Sequence, residues 1–253
     1  MSVCKIAVYG AGGRMGRRVI KCAAERHDVR VVCTIDESEI TGDLSTCDVI
    51  VDFSVAKATD AVLELVGKNS IPLVTGVTGR SKKQLEDIAE ASEIQPIFSA
   101  ANFSIGVAVL NKLVEAAVRS LGREFDAEIF EIHHRMKADA PSGTALLLGK
   151  TAAESRGLDW PDARRNRDGI TGPRSENEVG TAALRGGAVP GEHTVFLFGE
   201  SERLELTHRA ANRDIFALGA IRAAIWLKDQ QPGLYGMKHL VDSSDETSIF
   251  RGT

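Results

Sequence analysis

Hydrophobic positions along the chain follow two rhythms. Up to about residue 103, short apolar runs alternate with stretches whose apolar residues recur at helical spacing. Ile6-Ala7-Val8-Tyr9, Val29 to Ile35, Val49 to Phe53, Ile71 to Thr75 and Gln95 to Phe98 read as five strands. Between them, Val19, Ile20, Ala23 and Ala24, then Val62, Leu63, Leu65 and Val66, then Leu85, Ile88 and Ala89 mark helices, with Ser54 and Ser81 as caps of the second and third. Strands alternating with helices predict an α/β fold built on a Rossmann-type doubly wound parallel sheet with right-handed crossovers. Beyond residue 103 the rhythm changes. Leu110, Leu113, Val114, Ala117, Val118 and Leu121 predict an amphipathic connecting helix. Ala127 to His134, Ala182 to Arg185, Thr194 to Phe198 and Arg203 to His208 then read as strands with one helix, Ala145 to Glu154, among them. So few helices predict a mixed or antiparallel sheet in a second, α+β domain. Asp159 to Gly180, where Arg164, Arg165 and Arg167 bunch, reads as a solvated loop, and Ile215 to Leu227 as a helix returning to the first domain. The expected divisions are 1–104, 105–213, 214–241 and a polar tail, 242–253.

Punctuation between these elements brings in chemistry. Gly10-Ala11-Gly12-Gly13-Arg14-Met15-Gly16 stands between the first strand and the first helix. That order suits a dinucleotide: glycines let the backbone approach a pyrophosphate, and the first N–H groups of the helix face it. The spacing is G-x-x-G-x-x-G, with Met15 where the usual fingerprint ends in glycine, and a glycine turn by itself serves any α/β domain. Asp36 and Glu37 end the second strand, where an acidic side chain accepts from ribose hydroxyls. Two carboxylates there disfavour a 2′-phosphate, so NADH is preferred, while Arg14 keeps NADPH open. Gly76 to Thr78 and Ala100 to Phe103 follow other strands and belong at the same cleft, unless they are turn chemistry alone.

The second domain carries the densest chemistry, Glu131-Ile132-His133-His134-Arg135-Met136-Lys137-Ala138-Asp139-Ala140-Pro141-Ser142-Gly143-Thr144. Two imidazoles and two cations precede a turn that opens a helix. With His193, Arg203, His208 and Arg209 available from other strands, they predict a local positive pocket for a small dianion, with N–H donors at the turn Ser142-Gly143-Thr144 to hold a carboxylate. Arg135 reads more readily as an ordinary salt-bridge partner than as a ligand contact, and His193 and His208 more readily as core or interface histidines. Strand alternation sends His133 and His134 to opposite faces. Lys137 among cations would have its ammonium disfavoured, which suits a proton donor near neutral pH.

Composition narrows the picture. The formal net charge of −4 over 253 residues gives no global reason to expect nucleic acid or an anionic membrane, so the basic site must be local. No apolar stretch is long enough to span a bilayer. Cys4, Cys22, Cys33 and Cys47 form no C-x-x-C pair and no cluster with histidines, so reduced cytosolic thiols and no metal are expected. The start, Met1-Ser2-Val3-Cys4-Lys5, carries no signal-peptide features, and a cytoplasmic location is expected.

The glycine turn, Ala101-Asn102-Phe103-Ser104-Ile105-Gly106, His133 to Thr144, and Arg185-Gly186-Gly187 through Gly191-Glu192-His193-Thr194 together resemble the bacterial 4-hydroxy-tetrahydrodipicolinate (dihydrodipicolinate) reductases of the diaminopimelate route to lysine. The resemblance runs to about Val241. It implies an NAD(P)H-dependent oxidoreductase, a Rossmann domain closed by the C-terminal helix, a substrate domain that closes on the nicotinamide, and a homotetramer joined through the substrate-domain sheets. Carried over by position, Gly10, Ala11, Gly12, Gly13, Arg14, Met15 and Asp36 would bind the dinucleotide. Gly76, Val77, Thr78, Ala100, Ala101, Asn102 and Phe103 would surround its nicotinamide half. His133 would donate or accept a proton, Lys137 would donate one, and His134, Gly143 and Thr144 would bind a small dicarboxylate substrate. Some relatives place Arg where Glu37 stands, and the tail after Val241 departs from the short family ending. Two other readings share parts of this pattern: a different nicotinamide-dependent dehydrogenase of a small dicarboxylate, and a non-catalytic NADH sensor, for which the cationic cluster has little use.

Overall fold

The computed structural model describes residues 2–36, 39–160, 164–165 (backbone) and 167–243. In chain order the elements are β1 (Cys4–Tyr9), α1 (Arg14–Ala24), β2 (Val29–Asp36), β3 (Glu39–Gly42), β4 (Val49–Asp52), α2 (Thr59–Asn69), β5 (Leu73–Thr75), α3 (Lys82–Ser92) and β6 (Pro96–Ser99). There follow α4 (Ile105–Leu121), β7 (Asp126–His133), α5 (Gly143–Ser155), β8 (Arg164–Arg165), β9 (Val179–Arg185), β10 (Glu192–Phe198), β11 (Arg203–Arg209), α6 (Asp214–Leu227), β12 (Gly233–Tyr235) and α7 (Met237–Ser243). They form two compact units, Met1–Ile105 with Asp214–Thr253, and Gly106–Arg213.

The first unit is a sheet of order β12-β6-β5-β4-β1-β2-β3. Successive residues of a strand point to opposite faces, and here both faces are covered, which is why the strands read as continuous apolar runs. Ile6 and Val8 join Val19, Val51, Phe98, Ala220, Ile221 and Ala224 on one side. Ala7 and Tyr9 join Ile50, Val62, Leu73, Ile88 and Ile97 on the other. The alanines of α6 let that helix lie close to the sheet; a Cβ at Gly219 would sit 1.8 Å from the carbonyl oxygen of Phe103.

Three details differ from the sequence reading. The sheet has seven strands rather than five, and β3, exposed along its length, runs antiparallel to β2 at one edge. An edge strand facing water lacks the apolar run that betrays a central one. The short β12 joins from beyond α6 and pairs parallel with β6. Ser81 does cap α3, in a capping box with Gln84, but Ser54 caps nothing. Its hydroxyl and amide both donate to Asp52, at 2.6 and 2.9 Å, and a 3-10 turn at Ala56–Ala58 precedes α2.

The second unit is a mixed sheet, order β11-β10-β7-β9-β8, with β9 parallel to β7 and β8, and β10 antiparallel to β7 and β11. Along β7 burial alternates, so Ala127, Ile129, Glu131 and His133 are the buried set. The first two pack with Leu110, Val114 and Val118 of α4 and Ala145, Leu148 and Ala152 of α5. The same face thus passes from aliphatic residues to a carboxylate and an imidazole. The segment read as a solvated loop is tied down instead: Arg167 pairs with Glu128 and Glu178, and Arg174 with Asp126 and Glu128. Arg164 and Arg165 form β8.

One buried ion pair holds the C-terminal ends of the first unit's strands. Arg80 and Asp52, with side chains 3% and 1% exposed, lie 3.3 Å apart. Arg80 also donates to Thr75 Oγ1 (2.7 Å), Thr59 Oγ1 (3.0 Å) and Val77 O (3.1 Å). Removing one member leaves the other charged without water. Asp52→Asn should therefore cost about 3 kcal/mol in urea unfolding, and adding Arg80→Met should recover part of it; a double variant no more stable than Asp52→Asn would contradict this account.

Candidate active site

In the first unit, β1 delivers the chain to Gly10, whose φ of +77° favours glycine. Gly10 N donates to Ile35 O at 2.8 Å and Gly13 N to Gly10 O at 3.1 Å. A Cβ at Gly16 would lie 2.1 Å from Gly10 O, so Gly16, one place beyond Met15, permits the close approach of helix to turn. The α1 helix begins at Gly13 without a side-chain cap, which leaves the first-turn N–H groups to meet an anion. Asp36 reaches from the end of β2 and accepts from Gly12 N at 2.7 Å; Glu37 lies outside the described residues. An uncapped helix start, a cradle that a Cβ would fill and an adjacent carboxylate fit a dinucleotide.

The parallel strands bring other segments to the same sheet end. Gly76 N donates to Asp52 O at 2.9 Å, and a Cβ there would strike the Phe53 ring at 2.2 Å. The backbone of Val77 is held by Arg80, with Thr78 following. Ala100 N donates to Thr75 O at 3.2 Å, Ala101 is exposed, and Asn102 Oδ1 accepts from Ser104 N at 2.8 Å. Phe103 differs from its neighbours: its ring is core, 1% exposed, and packs against Phe53 and Phe98.

In the second unit the organising group is Glu131, fully buried. Its Oε1 accepts from Ser142 N and from Arg185 Nη2, both at 2.9 Å, and its Oε2 bonds His133 Nδ1. Burial by itself would raise this carboxyl's pKa, but the hydrogen bonds from His133, Arg185 and Ser142 outweigh it and hold the pKa at about 2. Arg185 also donates to Asp139 O at 2.6 Å, and both carboxylate oxygens of Asp139 accept from Lys137 Nζ at 2.9 Å. Lys137 is therefore not a cation among cations, as its sequence neighbours suggest, because Asp139 offsets its charge.

Ser142 caps α5, accepting from Ala145 N at 3.2 Å, and its hydroxyl lies 3.1 Å from His193 Nε2. Gly143 and Thr144 occupy the first turn of α5, and a Cβ at Gly143 would meet nothing within 4 Å, so the space before the helix is open. His193 is 4% exposed, its Nδ1 has no hydrogen-bond partner, and its ring stands edge-on to His133 at 5.1 Å. Burial, then the nearby His133, pushes its pKa down to about 4.

His134, past the end of β7, diverges from His133: its Nε2 accepts from Arg213 Nη2 at 2.9 Å. Desolvation, then Arg213 and the other nearby cations, lowers its pKa. Arg203 and Arg209 do not enter the pocket; they pair with Glu205 and Glu192 on the other face of the sheet. Arg135 is exposed and makes no ion pair among the described residues, contrary to the salt-bridge reading. Sequence reasoning gave no role of their own to Glu131, Arg185 or Arg213, counted Ser142 only as part of the turn that opens the helix, and favoured a core role for His193. The signal for Glu131 was there, since residues two apart on a strand share a face and Glu131 stands two before His133. Glu131, His133 and His193 place potential metal ligands within 4.8 Å of one another. The carboxylate's hydrogen bonds and the Arg185 cation already satisfy it, so the set is not an open coordination shell.

The family described as dihydrodipicolinate reductase, N-terminus, matches residues 4–103, and its C-terminal counterpart matches residues 106–241. A 4-hydroxy-tetrahydrodipicolinate reductase of Campylobacter jejuni subsp. jejuni serotype O:2 is 44% identical over 235 residues, covering 92% of this chain and 97% of that protein. One from Caulobacter vibrioides is 42% identical over 248 residues, covering 94% and 96%. Among solved structures, a dipicolinate-bound dihydrodipicolinate reductase from Paenisporosarcina sp. TG-14 superposes with a TM-score of 0.75 at 22% identity, covering 94% of this chain and 99% of that one, which shows the fold.

His193 makes this unit sensitive to acid. With a folded pKa near 4 against an ordinary 6.5, the unfolded chain binds a proton in that window which the folded unit does not, so stability rises with pH across it. At pH 5 the residue should account for about 2 kcal/mol of lost stability relative to pH 8. Urea unfolding of His193→Gln should show a correspondingly shallower pH dependence, and an unchanged slope would contradict the assignment.

Proposed function

The chain belongs to the dihydrodipicolinate reductase family and is a nicotinamide-dependent 4-hydroxy-tetrahydrodipicolinate reductase; we propose that the Glu131-centred cluster of its second unit carries the proton chemistry and that the glycine turn of its first unit holds the cofactor. The observation that carries this reading is that one buried carboxylate ties together His133, the start of α5 and, through Arg185 and Asp139, the loop of Lys137.

Gly10, Ala11, Gly12, Gly13, Arg14 and Met15 would hold the dinucleotide phosphates, Asp36 its ribose, and Gly76, Val77, Thr78, Ala100, Ala101 and Asn102 its nicotinamide half, with Phe103 bracing them from the core. The cofactor supplies a hydride. The substrate loses its 4-hydroxyl as water and takes up that hydride and a proton, leaving tetrahydrodipicolinate and oxidised cofactor. His134 and the Gly143-Thr144 helix start would hold a substrate carboxylate. Lys137, an ammonium kept in place by Asp139, would donate a proton, and His133 would donate or accept one at Nε2. Asp36 favours NADH, because a 2′-phosphate would meet its carboxylate. For the assembly we propose a homotetramer. The sheet face opposite α4 and α5 presents Phe130, Ile132, Leu184 (52% exposed), Phe196 and Phe198 (36% exposed), an apolar patch flanked by the Arg203–Glu205 and Arg209–Glu192 pairs and suited to a second copy.

Purified protein should oxidise NADH when given enzymatically generated 4-hydroxy-tetrahydrodipicolinate, with a lower KM for NADH than for NADPH; the reverse ranking would mean that Arg14 outweighs Asp36. Lys137→Ala should lower kcat about 100-fold or more while leaving NADH affinity unchanged. Equal loss in NADH binding would place Lys137 at the cofactor instead.

A further inference from the structure

Resting on the assignment of His133 as a proton-transferring residue, we infer that Glu131 is a positioning residue that fixes which nitrogen of His133 faces the substrate. Neutral imidazole protonates at either nitrogen, and the hydrogen bond made by one decides what the other offers. Glu131 is ionised and accepts only, so His133 Nδ1 must carry the proton and Nε2 becomes the working atom. Room for that atom comes from Gly191. A Cβ there would lie 3.0 Å from His133 Nε2, and its φ of +153° is one that side-chain-bearing residues rarely adopt.

The same carboxylate does more than orient a ring. Through Ser142 N it fixes the start of α5, which carries Gly143 and Thr144, and through Arg185 it reaches the backbone of Asp139, the partner of Lys137. A single anion therefore sets His133, the helix start and the Lys137 loop in one mutual geometry. The charged and titratable groups around His133 are Glu131 on its own strand, Arg185 on β9, His193 on β10, His208 on β11, and Lys137, His134 and Asp139 in the loop that follows. Asp139 is exposed and paired with Lys137, so Glu131 is the only buried anion of this set among the described residues and the only one bonded to the His133 ring; its loss removes the negative charge beside Nδ1.

The test uses Glu131→Gln, which keeps an oxygen for Ser142 and Arg185 but turns an NH2 donor toward His133. Loss of the anion should lower kcat at least tenfold at pH 7.5 and move the His133-dependent limb of the kcat profile to lower pH by one unit or more, with KM for NADH unchanged. Glu131→Asp should return the limb toward its wild-type position. A purely structural Glu131 would change stability and leave the limb in place, and that result overturns the inference. If Glu131→Gln does not fold, 15N NMR of histidine-labelled wild-type protein decides: a protonated Nδ1 on neutral His133 supports the inference and a protonated Nε2 overturns it. That spectrum does not depend on turnover, so absence of reductase activity, which would sink the functional reading, is distinguishable from failure of the positioning role.

Discussion

A carboxylate without water is the constraint around which the second unit is built. Glu131 occupies a place on β7 that continues the buried face of Ala127 and Ile129. Burying a charge there is unfavourable unless hydrogen bonds replace water, and three donors do so: a ring nitrogen, a guanidinium and a helix-capping amide. Each donor belongs to a different element, so satisfying one charge brings β7, β9 and the start of α5 into register. Stability and site geometry are here the same set of bonds.

The first unit depends on a related device at smaller scale. Asp52 ends β4 and receives Ser54, Thr75 and Arg80, while Arg80 reaches on to the carbonyl of Val77. The turn after β5 is thereby pinned from beneath by a buried pair. Its outer side faces the end of the sheet where the glycine turn and Asp36 also lie. Rigid supports under short loops let backbone groups meet a ligand without first being ordered.

Much of this was legible in the sequence, for identifiable reasons. Strands covered on both faces leave continuous apolar runs, so β1, β2, β4, β5 and β6 announced themselves, as did the cap at Ser81. The exposed β3 and three-residue β12 leave no such trace. Ser54 was misread because a serine before a helix can equally bond backward to a nearby carboxylate, as it does to Asp52. In the site, the crowd of cations from His133 to Lys137 signalled an anion, but the sequence could not tell which anion belonged to the protein. Asp139 answers Lys137 and Glu131 answers His133 and Arg185. Arg203 and Arg209 looked available only because strand register, which turns them to the far face, is not written in local composition.

The first unit is discontinuous in sequence, and this governs the order in which it can be completed. Ala217, Ala220, Ile221 and Ala224 of α6 fill one side of its sheet, and β12 adds a strand beyond β6, yet both come after the whole second unit in the chain. During synthesis from the N-terminus, residues 1–105 emerge with one face of their sheet covered by α1 alone, whereas Gly106–Arg213 is contiguous and has its sheet and helices before α6 appears. The unit encoded first is thus the one finished last, and the part of its apolar face beneath α6 must wait for the far end of the polypeptide to arrive.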